Sequence, residues 1–128
     1  MTDQKIYQFD AVIYPIKLWV SITNDLTEIT DKFLDLDTMG EFNYKTPTKV
    51  CAFMQMVLSK EDEFVGALCV FKNKKYCTTK MITHEATHAA RRIWEHLNED
   101  PTGEEADAYL VGWIAGCIES VKKGQVEK

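Results

Sequence analysis

The sequence predicts one α+β domain, and three observations lead to this prediction. The chain has 128 residues, of which 45% are hydrophobic, a size that supports one well-packed core but not two. Short segments rich in β-branched and aromatic residues occupy its first half, and two long helical patterns occupy its second half. Only 6 Gly and 3 Pro are present, which leaves little room for a linker, so we expect residues 1–128 to form a single domain.

The first third of the chain is predicted to form two strands and a helix. Ile6–Val12 and Ile16–Ile22 have the composition of strands, and a proline between them separates the two because it cannot donate to a ladder. A helix is predicted over Asp25–Leu36, and the glycine and proline of Met39–Thr48 predict a loop. The helical prediction depends on apolar residues at helical spacing: Leu26, Ile29, Phe33 and Leu36.

The middle of the chain has the pattern of a β-hairpin. Lys49–Ser59 and Phe64–Phe71 are both strand candidates, and the acidic run Glu61–Glu63 between them predicts a turn. A second turn is predicted over Lys72–Tyr76. We therefore expect a small, mostly antiparallel or mixed sheet.

Two helices are predicted to complete the domain. The first covers Thr79–Leu97, or begins one residue earlier at Thr78. The proline and glycine in residues 98–103 interrupt the helical pattern. The second helix covers Glu104–Lys122, or begins at Thr102, and ends before a glycine.

Composition argues against several classes of partner. The net charge of −5 is unfavourable for nucleic acid, whose phosphate backbone is bound by clustered Lys and Arg. No apolar run approaches the roughly 20 residues that span a bilayer. The N-terminus lacks the basic and apolar segments of a signal peptide. We therefore expect a soluble, cytoplasmic protein with neither a nucleic-acid nor a membrane partner.

Two of the four cysteines are predicted to be buried, structural thiols. The four form no CxxC pair, so a zinc site built from cysteines is not expected. Cys51 and Cys69 lie inside apolar runs, where free cysteines are commonly buried. A disulfide framework is the less favoured interpretation, because nothing points to secretion.

The residues that carry chemistry are His84-Glu85-Ala86-Thr87-His88, an HExxH motif. On a helix, positions four apart lie one turn above each other, so His84 and His88 can bind one Zn²⁺ together. Glu85 lies beside them and can act as the general base that accepts a proton from water. The alternative interpretation is a capped or solvated histidine pair with an exposed glutamate on an ordinary helix.

A catalytic zinc site needs a third protein ligand, and the start of the final helix offers Glu104 and Glu105. The alternative role for either is the preference of carboxylates for a helix N-terminus. We prefer Glu105 because small residues follow it on nearly the same face, which suggests close packing against Ala86, Ala89 and Ala90 of the motif helix. Asp107, about 200° from Glu105 around the helix, is disfavoured. The small residues are Ala108, Gly112, Ala115 and Gly116.

His84–His88 followed by Glu105-Ala106-Asp107-Ala108-Tyr109 resembles the gluzincin type of the zincin superfamily, and most closely the very small zincin-like peptidases encoded by phages and prophages. The likeness covers Phe64 to about Glu119. It implies a minimal zincin-like fold, with His84, His88 and Glu105 as zinc ligands and Glu85 as the general base. It also implies a strand along the substrate cleft, a place that Phe64–Phe71 would occupy.

The chain departs from the thermolysin-like gluzincins in two respects. They carry an aspartate four residues after the third ligand, which orients a zinc-binding histidine, whereas this chain has Tyr109 at that position. Larger gluzincins also supply an oxyanion-stabilising Tyr or His from a separate domain. Arg91 is the best substitute here, although it can equally be a solvated cation beside Glu95. The other candidates are Tyr76, Tyr109 and His96, of which His96 is more typical of a surface residue.

Two functional hypotheses follow. The first is a zinc-dependent metallopeptidase that hydrolyses a peptide or amide bond of a peptide or protein substrate, with Glu85 activating water. The second is a non-catalytic zincin-like binding module, phage-encoded and engaging a host or virion partner, in which zinc is structural or vestigial. If the protein is phage-encoded, the expected compartment is the host cytoplasm.

Overall fold

A computed structural model of the chain describes residues 6–11, 15–41, 51–97 and 103–124. Over these residues the protein is α+β, as the sequence predicts. Its strands are β1 (Ile6–Asp10), β2 (Lys17–Ile22), β3 (Phe33–Asp35), β4 (Gly40–Glu41), β5 (Ala52–Ser59) and β6 (Val65–Phe71). Its α-helices are α1 (Thr27–Lys32), α2 (Thr79–Leu97) and α3 (Gly103–Lys123), and a 3₁₀ turn covers Lys74–Tyr76. No helix in the described ranges is long and apolar enough to span a membrane.

The six strands form one mixed sheet in the order β1-β2-β6-β5-β3-β4. The β2–β6 pair is parallel and the other pairs are antiparallel. The predicted hairpin of β5 and β6 is confirmed, with Met54 opposite Cys69 and Val57 opposite Gly66. β6 is therefore paired along both of its edges, by β2 and by β5.

The position of β6 corrects one expectation. A strand that lines a substrate cleft needs a free edge whose backbone groups can pair with the substrate. Both edges of β6 are occupied inside the sheet, and six of its seven residues are buried. β6 is thus a central core strand, and the cleft strand that the resemblance placed at Phe64–Phe71 is not formed there.

Hydrophobic side chains are buried on both faces of the sheet. The larger core lies under α2 and α3, where Leu18, Ala67 and Phe71 of the sheet meet Ile93 and Ile118 of the helices. The smaller core lies on the opposite face under α1. It is formed by Trp19, Leu26, Ile29, Phe33, Val57, Leu68 and Val70. The alternation of strand side chains divides β6 between the two cores.

The predicted helix over Asp25–Leu36 is wrong in its last turn. α1 ends at Lys32, and the next three residues form β3, pairing with β5 through Leu34 opposite Leu58. Phe33 is buried with its ring 4.8 Å from that of Trp19. Burial and strand pairing at Phe33 therefore outweigh the helical spacing of the apolar residues.

The boundaries of the other main elements agree with the sequence. α2 begins at Thr79, and the Thr78 hydroxyl accepts a hydrogen bond of 3.2 Å from the Met81 N–H, as an N-cap does. α3 ends before Gly124, whose φ is 70°, a left-handed conformation that favours glycine. β4 lies within the segment predicted as a loop, and residues 42–50 and 98–102 lie outside the described residues.

Candidate metal centre

The HExxH motif lies in the middle of α2, an uninterrupted helix of 19 residues. His84 and His88 are both exposed to solvent, and their ring centroids are 4.6 Å apart with an interplanar angle of 84°. This proximity follows from the spacing of four residues, which returns the chain to nearly the same side of the helix. The two imidazoles therefore form a solvent-facing pair that suits two ligands of one metal ion.

Glu85 lies between the two histidines in sequence but is buried, with 5% of its surface exposed. Burial raises the pKa of its carboxyl, and the neighbouring His84 and His88 partly oppose this increase. The Cys69 thiol of β6 has its pKa raised by burial and also by the charge of Glu85. The carboxyl therefore lies between the histidine pair and the sheet, in surroundings that favour its protonated form.

The side of α2 that carries His88 borders the turn between β3 and β4. One helical turn beyond His88, the Arg92 Nη2 donates to Asp37 Oδ1 at 2.6 Å. Gln55 Nε2 also donates to Asp37, at 3.0 Å to Oδ2. The hydrogen bond from Gln55, together with Arg92, lowers the pKa of Asp37. This turn is thus tied to α2 beside the motif by an ionised carboxylate.

A different side of α2 contacts α3. Trp94 Nε1 donates to Asp107 Oδ1 at 3.0 Å, and Arg91 Nε lies 3.8 Å from Asp107 Oδ2. At about 100° per residue, Trp94 is about 120° from His88 around the helix. Arg91, the predicted oxyanion group, is therefore paired with a carboxylate on the α3 side.

The small-residue face of α3 is directed outward, so the predicted packing of this face against α2 is wrong. Glu105, Ala108, Gly112 and Gly116 are all exposed, and Ala115, at the edge of this face, is partly buried. A Cβ added at Gly112 or Gly116 meets nothing within 4 Å. The face that packs inward carries larger side chains, and burying these gains more than burying glycine. They are Leu110, Ile114, Cys117, Ile118 and Val121.

The structure therefore brings together two of the three predicted zinc ligands. No group of three or more His, Cys, Asp or Glu side chains within the described residues is arranged to hold a metal ion. Glu105 does not join His84 and His88 in this arrangement, and the side chain of Glu104 lies outside the described residues. The residues present thus fit zinc as a two-imidazole pair and not as the predicted set of three.

Among the acidic side chains described in the first turns of α3, it is Asp107, the disfavoured carboxylate, that contacts α2. Its spacing from Leu110 and Ile114, three and seven residues later, is the signal that could have placed it on the inward face. Of the remaining oxyanion candidates, Tyr76 is partly buried in the 3₁₀ turn before α2, and the other two lie at the surface. Tyr109 is 74% exposed, and His96 is exposed near the end of α2.

All four cysteines are free. Cys69 is buried as predicted, whereas Cys51, predicted to be buried as well, is only partly buried. Cys77 and Cys117 are also buried. Comparisons of the chain with protein-family models, with curated proteins and with solved structures give no match.

Proposed function

We propose that this protein is a zinc-dependent hydrolase that acts on peptide or amide bonds. One observation carries the proposal: His84 and His88 lie side by side in solvent on an unbroken helix, with Glu85 buried beside them. Exposed imidazoles are accessible to a metal ion and to a substrate. A glutamate placed next to such a pair is the arrangement with which HExxH helices combine metal binding and proton transfer.

The chemistry can be assigned to residues. Zinc, when bound, polarises a carbonyl and lowers the pKa of a coordinated water to about 7. His84 and His88 would hold the ion. Glu85 would accept the proton of the attacking water and donate it to the leaving amine.

The test is Glu85→Gln, which keeps the size and polarity of the side chain but removes its charge and its basicity. We expect the variant to bind as much zinc as the parent and to keep its circular dichroism spectrum, while hydrolysis of a quenched fluorescent peptide mixture is lost. Glu95→Gln, an exposed glutamate of the same helix, is the control and should retain activity. Retained hydrolysis in zinc-loaded Glu85→Gln would contradict the proposed mechanism.

A non-catalytic binding module is the second candidate, and one observation favours it. Within the described part of the chain, the histidine pair is not joined by a third donor, whereas catalytic zinc sites have three protein ligands. If this second candidate is correct, zinc-loaded parent protein will not cleave any peptide of the mixture and will bind zinc without turnover. Zinc analysis and the peptide assay on one preparation distinguish the two candidates.

A further inference from the structure

We infer that a metal ion bound by His84 and His88 is held without any ligand from α3, on a side of α2 other than the one from which Trp94 contacts that helix. This inference rests on the proposed function for the presence of the metal, and it concerns which elements surround it. Three observations support it: the direction in which α3 approaches α2, the level at which it does so, and the rotation of α3 about its own axis.

The direction of approach is fixed by Asp107. This carboxylate accepts a hydrogen bond from Trp94 and lies near Arg91. Around the axis of α2, Trp94, which makes the hydrogen bond, is about 80° from His84 and about 120° from His88. The longer, exposed Arg91 side chain begins only about 20° from His84 and approaches the same carboxylate to 3.8 Å. On the other flank, Arg92 contacts Asp37 of the β3–β4 turn. His84 and His88 therefore point into the solvent between α3 and the β3–β4 turn. Of the two, His88 is closer to the β3–β4 turn.

The contact between α2 and α3 is also displaced along the α2 axis from the histidine pair. Residues 98–102 alone join α2 to α3, and Trp94 near the end of one contacts Asp107 near the start of the other, so the helices form an antiparallel pair. Trp94 is about 9 Å along the axis from His88 at 1.5 Å per residue. Glu104 and Glu105 precede Asp107, so their backbone lies still closer to the end of α2 and farther from His88.

The rotation of α3 is held by its buried face. Ile114 and Ile118 are fully buried in the larger core, and Leu110 is 4% exposed. Glu105 is about 140° from Leu110 and about 180° from Ile114 around α3. Turning Glu105 toward α2 would expose these three apolar side chains and bury Gly112 and Gly116 in their place, which the hydrophobic effect opposes.

The experiment is a zinc titration against a chromophoric chelator, with circular dichroism as a check of folding. We expect His84→Ala and His88→Ala each to weaken zinc binding by at least about tenfold, because each removes one of two ligands. The double variant Glu104→Gln/Glu105→Gln should stay within about twofold of the parent, as should His96→Ala, the third histidine of the chain. The visible absorption of bound Co²⁺ should be the same in the double variant and the parent.

Two results would overturn this inference alone: a double variant weakened by about tenfold or more, or one with a changed cobalt spectrum. A parent protein that binds no zinc would overturn both this inference and the proposed function. If the titrations agree with the inference but zinc-loaded Glu85→Gln still hydrolyses peptides, the proposed function fails and the coordination inferred for the metal stands.

Discussion

His84 and Glu85 are adjacent in the sequence yet lie in opposite environments, one exposed and the other 5% exposed. Their separation of about 100° around α2 explains the difference, because β5 and β6 cover one side of the helix and solvent the other. The sequence predicts that His84 and His88 are neighbours, since this depends only on helical spacing. It does not predict that Glu85 is buried, because this depends on which strand α2 packs against.

The four cysteines differ in burial, and we expect their thiols to differ in reactivity. Burial raises the pKa of the Cys69, Cys77 and Cys117 thiols, that of Cys117 to about 12, whereas Cys51 is only partly buried. Since the thiolate is the reactive form, iodoacetamide at pH 8 should modify only Cys51 in the folded protein. Intact mass spectrometry should detect one adduct before denaturation and four in urea.

Cys51→Ser is the control for this experiment and should give no adduct under native conditions. Rapid native modification of Cys69 or Cys117 would contradict the buried positions of these residues in the larger core. Because all four cysteines are free, prior reduction should leave the adduct count unchanged.

At the scale of elements, α3 shows how one helix can carry two competing patterns. Large apolar residues recur from Leu110 to Val121, and small residues recur from Ala108 to Gly116 on another face. Both patterns have helical periodicity, so periodicity alone does not decide which face is buried. The difference in buried apolar area does decide it, and this favours the larger side chains. The sequence-based preference for Glu105 as a ligand depended on packing of the small-residue face against α2, and this face is the one exposed to solvent.

The outward position of Gly112 and Gly116 predicts that alanine will stabilise the protein at both sites. An added Cβ meets no atom within 4 Å at either glycine, and alanine is favoured over glycine inside a helix. Gly112→Ala and Gly116→Ala should each raise the free energy of unfolding by about 0.5–1 kcal/mol. Urea denaturation followed by circular dichroism measures this change. Destabilisation by either substitution would indicate that this face of α3 is packed.

At Gly66 in β6, in contrast to Gly112 and Gly116, we expect alanine to destabilise the protein. A Cβ there would collide with the backbone carbonyl of Lys17 on β2 and lie 2.7 Å from Cζ3 of Trp19. Gly66→Ala should therefore lower the free energy of unfolding by about 1–3 kcal/mol in the same assay, as overpacking does. A neutral result at Gly66 would contradict the close approach of β2 and β6.

The boundary between α1 and β3 could not be predicted from the local pattern of apolar residues. Apolar residues from Leu26 to Leu36 match a helix, but the chain is helical only to Lys32. From Phe33 onward, pairing with β5 supplies ladder hydrogen bonds, and contact with Trp19 supplies buried area. β5 begins about twenty residues after Phe33, so a local window could not include this competing interaction.

At the scale of the whole molecule, the sequence predicts the class of the fold and most elements but not the order of strands. The β5–β6 hairpin could be predicted because its strands are close in sequence. The parallel pairing of β2 with β6 joins residues that are far apart in sequence, and it places β6 in the interior of the sheet. This non-local pairing is why the strand expected to line a cleft became a core strand.

Because β6 lies in the interior of the sheet, we expect the two cores to unfold together, as they do in one domain. Leu68 and Val70 of β6 belong to the smaller core, and Ala67, Cys69 and Phe71 belong to the larger core. A single strand thus supports both faces of the sheet, so neither core can lose its packing without disturbing the other. We therefore expect one cooperative unfolding transition.

Tryptophans report the two cores separately. Trp19 lies in the smaller core, while Trp94 and Trp113 pack in or against the larger one. Trp94→Phe/Trp113→Phe leaves a reporter for the smaller core, and Trp19→Phe leaves reporters for the larger core. In each background, Ile29→Ala removes a buried side chain from the smaller core and Ile118→Ala removes one from the larger core. Each should lower the free energy of unfolding by about 2–5 kcal/mol.

Both truncations should shift the fluorescence midpoint in urea by the same amount in the two reporter backgrounds, and the circular dichroism midpoint should coincide with it. The reason is that cooperative unfolding through β6 couples each core to the whole sheet. An Ile29→Ala shift seen by Trp19 but not by Trp94 and Trp113 would mean that α1 and its core unfold separately. In that case α2, which carries the HExxH motif, would stay packed on the sheet after the smaller core on the opposite face had unfolded.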